Sequence, residues 1–136
     1  MNPAAPAPAQ PAAQRRRPRL LVWFLAPVAI LGGLGALYTW ATLSYAYARG
    51  ERVGYLQKFS QKGWLCKTWE GELAMATMPG VVPEKFLFST RDDAIAVQVN
   101  GALGKRVRIR YAQHKGVPTT CFGETEFFVG EAQPVE

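Results

Sequence analysis

The longest apolar run in the chain extends from Leu20 to Leu37 without a charged or amide side chain, and it continues uncharged through Leu43. A helix over 20–43 rises roughly 36 Å, enough to cross a hydrocarbon core with some tilt. Trp23 and Phe24 stand near one end. Tyr38, Trp40, Tyr45 and Tyr47 stand near the other, where interfacial aromatic belts are expected. Pro27 falls in the first turns, where it bends the helix. Gly32 and Ala36 fit a small-xxx-small spacing, which points to weak helix-mediated self-association; lipid-facing glycine is the competing reading.

Beyond this run the pattern becomes that of strands. Residues 52–60 carry the β-formers Val53, Tyr55 and Phe59, and Gln61-Lys62-Gly63 reads as a turn. A second strand is expected over 64–75 and a short third over 84–89, separated by Met78-Pro79-Gly80 and Pro83. Ser89 and Thr90 each fit an [ST]-x-x-[DE] capping box with Asp92 or Asp93, so a helix is expected to start there. Ile95, Val99, Ala102 and Leu103 give it one apolar face, and Gly104 sits where a left-handed terminal residue belongs. Residues 105–111 alternate cleanly, with Val107, Ile109 and Tyr111 on one side and Arg106, Arg108 and Arg110 on the other. The last strand is expected over 125–129.

The order is β-β-β-α-β-β after a transmembrane helix. This predicts a mainly β domain with one helix, an OB-like five-stranded barrel. Gly54 and Gly71 would serve the sharp coiling of its early strands. An SH3-like barrel or an open α+β sheet has the same element order.

Charge changes the picture in one place. The formal net charge of +6 comes from 16 Lys+Arg against 10 Asp+Glu. Arg15, Arg16, Arg17 and Arg19 lie together; setting these four aside leaves 12 basic against 10 acidic residues, a net of +2. The surplus is a local cluster beside the apolar run, so no nucleic-acid partner is expected. The positive-inside rule then places the N-terminus in the cytoplasm and the rest of the chain beyond the membrane, with the lipid bilayer as one partner. Ala46-Tyr47-Ala48 resembles a signal-peptidase site, but the apolar run exceeds a usual 7–15-residue signal core, which favours a retained anchor. The organisation is therefore a Pro/Ala-rich disordered cytoplasmic tail with the arginine cluster over 1–19, a transmembrane helix over 20–43 and a linker over 44–51. The OB-like domain follows over 52–131, with a flexible end over 132–136.

The stretches Gly50-Glu51-Arg52-Val53-Gly54-Tyr55-Leu56-Gln57-Lys58-Phe59-Ser60, Lys62-Gly63-Trp64 and Lys67-Thr68-Trp69-Glu70-Gly71-Glu72-Leu73 carry a resemblance. So do Arg91-Asp92-Asp93-Ala94, Gly104-Lys105-Arg106-Val107 and Cys121-Phe122-Gly123-Glu124-Thr125-Glu126. Over 44–130 the chain resembles an uncharacterised family of small bacterial single-pass membrane proteins. Members often carry the automatic label 6-phosphogluconate dehydrogenase. This sequence does not support that label: it has no G-x-G-x-x-G between a strand and a helix, and it is too short. The resemblance implies a domain type in the bacterial inner membrane, with the domain periplasmic, and no chemistry.

Candidate chemistry is sparse. Cys66 and Cys121 follow the first and fourth inter-strand connections, which share one end of an OB topology. An oxidising compartment favours a disulfide between them; two separate buried thiols are the alternative. His114 is the single histidine. With no nucleophile and orienting group evident beside it, it reads as a surface residue. No enzyme activity, metal or cofactor is expected. Arg106, Arg108 and Arg110 form a one-sided basic stripe, for which a solvated face neutralised by Glu70, Glu72 or other acids on nearby strands is the competing and favoured reading. Trp64 and Phe59 are the aromatics best placed for exposure. Together these five residues are the candidate binding surface. The sequence therefore predicts a membrane-anchored binding or scaffold module facing the periplasm, with an envelope protein as partner. An anchor subunit of a larger membrane complex is the alternative. An envelope enzyme, which would need His114, a carboxylate and a hydroxyl or thiol to converge in one pocket, is a third reading.

Overall fold

The computed structural model describes residues 19–75 and 78–136, so the proline-rich tail and Arg15, Arg16 and Arg17 lie outside the described residues. The elements are α1 (Arg19–Ser44), β1 (Ala48–Lys62), β2 (Thr68–Met75), β3 (Lys85–Thr90), α2 (Asp93–Gly101), β4 (Arg106–Gln113) and β5 (Phe127–Pro134). The fold is thus mainly a five-stranded sheet with two helices. The chain divides into two units within α1, after Gly35.

α1 is 26 residues long, buries none of them, and has a mean hydropathy of 2.2 over its most apolar window. It is long and apolar enough to cross a membrane, and a signal sequence has the same character. From Leu20 to Leu37 its side chains are all exposed and enter no protein core.

The second unit, Ala36–Glu136, is organised around β1. This strand is 15 residues long, much longer than the 52–60 expected. Its first half pairs with β4, from Ala48↔Gln113 to Tyr55↔Arg106. Its second half pairs with β2, from Gly54↔Met75 to Lys62↔Thr68. Only Gly54 and Tyr55 pair on both sides. The register slips between Leu56 and Lys58, where a bulge bends the strand and lets it serve two neighbours. The strands close in a ring in the order β1-β2-β3-β5-β4. Closure gives every strand a neighbour on both sides. All ladders are antiparallel except β3 with β5, which share the single parallel pair Ser89↔Phe128.

Leu56, Leu73, Phe86, Phe88, Val107, Ile109, Val129 and Ala132 fill the interior, and α2 adds Val99 and, just past its end, Ala102. Burial of each large aliphatic or aromatic side chain contributes about 1.5–3 kcal/mol. The alternation read in β4 holds: Val107 and Ile109 are buried while Arg106, Arg108 and Arg110 are exposed. Gly71 is required by packing, since a Cβ there would run into the Phe88 ring; at Gly54 it would meet the Ala74 carbonyl.

Three expectations are corrected. α2 is capped by Asp92, whose carboxylate accepts from the Ala94 N–H at 2.8 Å, and not by Ser89 or Thr90. Those two residues end β3 and are buried, because ring closure claims their hydroxyls. β2 starts at Thr68, so 64–67 form the hairpin tip. β5 runs on to Pro134, through the stretch expected as a flexible end, because Ala132 opposes Ile109 in the β4 ladder.

Gly71→Ala is expected to lower stability by about 1–3 kcal/mol through overpacking against Phe88. Thermal denaturation followed by near-ultraviolet circular dichroism checks this, and an unchanged midpoint would mean that the ring moves aside freely.

Candidate functional site

The first and fourth inter-strand connections meet at one end of the ring. The β1–β2 tip turns at Gly63, whose φ of +124° and close approach to the Cys66 carbonyl exclude a side chain. Trp64 and Leu65 then project into solvent, 98% and 87% exposed. Cys66 is joined by a disulfide to Cys121 of the β4–β5 connection, with the Cα atoms 4.9 Å apart. An ion pair between Lys62 Nζ and Glu124 Oε2 at 3.8 Å lies beside it.

A buried carboxylate fastens the same loop from below. Glu70 is 6% exposed. Its Oε1 accepts from Thr68 Oγ1 at 2.8 Å and from the Glu124 N–H at 3.0 Å, and its Oε2 accepts from Ser89 Oγ at 2.7 Å. Ser89 spends its one proton on Glu70, so its oxygen accepts from the Thr125 N–H at 3.0 Å. Three donors satisfy the charge without a cation, which is how a carboxylate is tolerated at such burial. Thr90 Oγ1 adds a 2.7 Å bond to the Val129 carbonyl. These side-chain bonds reinforce the β3–β5 seam where the ladder has one pair. A small cavity of about 80 Å³, lined by Lys58, Ser60, Lys62 and Glu72 among others, opens next to Glu70.

The other expected surface residues do not join Trp64. Phe59 points inward, stacked 5.3 Å from the Trp69 ring and 6.4 Å from Phe88. Trp69 is held in turn by its indole N–H, which donates to Asp93 Oδ1 at 2.9 Å. Arg106 stands opposite Tyr55 on β1. From Tyr55 to Lys62 the strand runs about 23 Å at roughly 3.3 Å per residue, so the arginine stripe and the hairpin tip are separate surfaces. Arg110 is neutralised within the stripe by Glu51 at 2.8 Å and Glu131 at 2.6 Å. The Glu51 hydrogen bond, with the charges of Glu131 and Glu51, raises its pKa above the ordinary value.

His114 is a correction. It is 8% exposed and not a surface residue. Its Nδ1 lies 3.0 Å from the Thr42 carbonyl, and since a carbonyl only accepts, Nδ1 carries the proton. The ring stands edge-on to Phe128 at 5.4 Å. Nearby, Tyr38 donates to the Gly116 carbonyl at 3.0 Å, the Tyr47 N–H donates to Gln113 O at 2.8 Å, and Lys115 Nζ sits 4.0 Å over the Tyr47 ring. The last turns of α1 and the start of the β4–β5 connection are thus pinned together. Sequence reasoning missed this root and the Glu70 cluster. Neither has a local signature, because the partners lie 72 positions apart for His114 and Thr42, and 54 for Glu124 and Glu70.

Among the described residues, no three His, Cys, Asp or Glu side chains are grouped to hold a metal ion. A family model described as Domain of unknown function (DUF8785) matches residues 46–136. No curated protein matches the chain.

Two outcomes are expected. Glu70→Ala strands the Ser89 and Thr68 hydroxyls and the Glu124 N–H, and should cost about 3 kcal/mol in urea unfolding. Lys62→Ala, at an exposed pair, should cost less than about 1 kcal/mol. Equal losses would deny the buried cluster its role. Glu72 gives a pH test. Lys85 Nζ, 2.7 Å from Glu72 Oε1, donates a hydrogen bond that holds the carboxyl below its ordinary 4.5, and the Lys85, Lys58 and Lys62 charges add to this against some desolvation. A lowered folded pKa gives stability that is complete above the unfolded value and is lost as pH falls through the folded one. The stability gap between wild type and Lys85→Met should therefore be open at neutral pH and close in acid. A gap independent of pH would assign it to packing of the lysine stem.

Proposed function

The chain belongs to the DUF8785 family of unknown function, and from that premise we propose that residues 46–136 form an OB-like binding module carried on a single membrane anchor. The ring order β1-β2-β3-β5-β4, with α2 between β3 and β4, supports this reading. It is the arrangement of a five-stranded Greek-key barrel, a fold that binds through one sheet face and the β1–β2 and β4–β5 loops.

The observation that carries the proposal is the exposure of Trp64 and Leu65 on a tip that the Cys66–Cys121 disulfide holds in place. A tryptophan kept in water by a covalent staple is apolar surface maintained for contact, and tryptophan is enriched among the residues that dominate protein interfaces. The partner is an envelope protein that buries this tip. The disulfide favours an oxidising compartment, and the arginines before α1 favour a cytoplasmic N-terminus, so the module faces the periplasm of a bacterial inner membrane. Phe59 is spent on the interior and Arg110 on its two carboxylates, so neither belongs to the contact.

The test is capture of full-length protein from native membranes, side by side with a Trp64→Ala/Leu65→Ala variant. Wild type is expected to retain a stoichiometric protein partner, and the variant to lose it with a penalty of about 2 kcal/mol or more. Recovery of the bait alone, or equal recovery by both, would overturn the reading.

A further inference from the structure

A groove of about 540 Å³ lies where the start of β1 meets the end of β4 and the start of β5. Arg49, Arg91, Arg110, His114 and Phe128 line it together with the carboxylates of Asp92 and Glu131. The charges there are not equally available. Arg110 is occupied by Glu51 and Glu131. The Asp92 carboxylate caps α2 through the Ala94 N–H. Arg91 lies over the Phe128 ring at 5.4 Å, and neither it nor Arg49 is ion-paired among the described residues. Both are exposed. Lys115 lies over the ring of Tyr47, two residues before Arg49 in the chain, and stands outside the groove's lining. Two arginines without an ion pair among the described residues line one groove with the Phe128 and His114 rings, while its carboxylates are engaged elsewhere, and such a surface suits a phosphate.

The position of this groove identifies the source of that phosphate. Tyr38, which donates to the Gly116 carbonyl, lies six residues before the end of α1 at Ser44, about 9 Å back along the axis. Side chains on a helix lean toward its N-terminus, so the loop at Gly116 reaches at least the level of Tyr38. The apolar run from Leu20 to Leu37 is about 27 Å long, close to a hydrocarbon core by itself. Tyr38, Trp40 and the pinned loop then fall in the headgroup layer, and the groove, floored by His114 next to that loop, opens beside it.

We propose that the Arg49–Arg91 groove at the root of α1 binds the phosphate of an anionic lipid headgroup. The proposal rests on α1 being a membrane span. It makes the domain a lipid-registered module, seated against the bilayer by its own surface as well as by the anchor.

Full-length protein in nanodiscs made from equal phosphatidylcholine and phosphatidylglycerol tests it, by native mass spectrometry of the lipids retained on release. Wild type is expected to retain phosphatidylglycerol over phosphatidylcholine. Near an anionic surface each basic side chain is worth about fivefold, so Arg49→Glu/Arg91→Glu should lose most of the preference. Both positions are exposed, and an intact Cys66–Cys121 mass together with an unchanged circular dichroism spectrum establishes that the variant folds. Arg49→Lys should keep most of the preference. Equal retention of the two lipids, or a preference unchanged in the double variant, overturns the proposal. Displacement of the lipid by soluble glycerol 3-phosphate would assign the groove to a free phosphate and overturn the lipid source. Carbonate extraction separates the underlying reading: protein released from membranes refutes the anchor and the proposal with it, whereas retained protein without lipid preference refutes only the headgroup site.

Discussion

Everything in the folded domain depends on one strand serving two partners. β1 gives its first half to β4 and its second half to β2, and the bulge between Leu56 and Lys58 bends it at the point of exchange. A straight strand of that length would leave half its backbone groups unpaired on one side, at a cost comparable to a lost hydrogen bond for each buried group. Bending removes that cost and brings the remaining strands into a ring. Small residues let the neighbouring layers close in: at Gly54 and Gly71 the backbone or a ring occupies the space of a side chain.

A ring closed this way has a weak point where its ends meet. Only Ser89 and Phe128 pair across the β3–β5 seam. Side chains supply what the ladder lacks, with Thr90 bound to the Val129 carbonyl and Ser89 linking Glu70 to Thr125. The same cluster holds Glu124, and through it the connection that carries Cys121. Closure of the fold and presentation of Trp64 are therefore coupled, since the polar network that seals the ring also positions the loop stapled to the exposed tip.

At the start of β1 the chain makes a second commitment. His114, Tyr38 and Tyr47 fix the last turns of α1 to the beginning of the β4–β5 connection. One connection thus carries both the helix root, at His114, and the disulfide, at Cys121. The two proposed surfaces, a headgroup groove at the root and a protein contact at the tip, are both tied to it. Such a layout would let an anchored module hold a fixed attitude to the bilayer while offering an apolar contact away from the groove.

Legibility in the sequence followed the range of the interaction. The apolar run of α1, the alternation of Val107 and Ile109 against three arginines, and the left-handed Gly104 all rest on neighbours within a few positions, and these were readable. Ser89 and Thr90 show the opposite. Their spacing to Asp92 and Asp93 satisfied a local capping rule, yet a partner across the ring claimed their hydroxyls, and Asp92 took the cap. β5 beyond Val129 has weak strand propensity, and pairing with β4 made it a strand regardless. His114 carries no local sign that it will be buried under a helix end 72 positions earlier. By itself, then, the sequence determined an apolar helix followed by five short elements of β character and one helix. The tertiary structure decided which polar groups face inward, because a buried hydroxyl, imidazole or carboxylate is tolerated only where a distant donor or acceptor arrives to satisfy it.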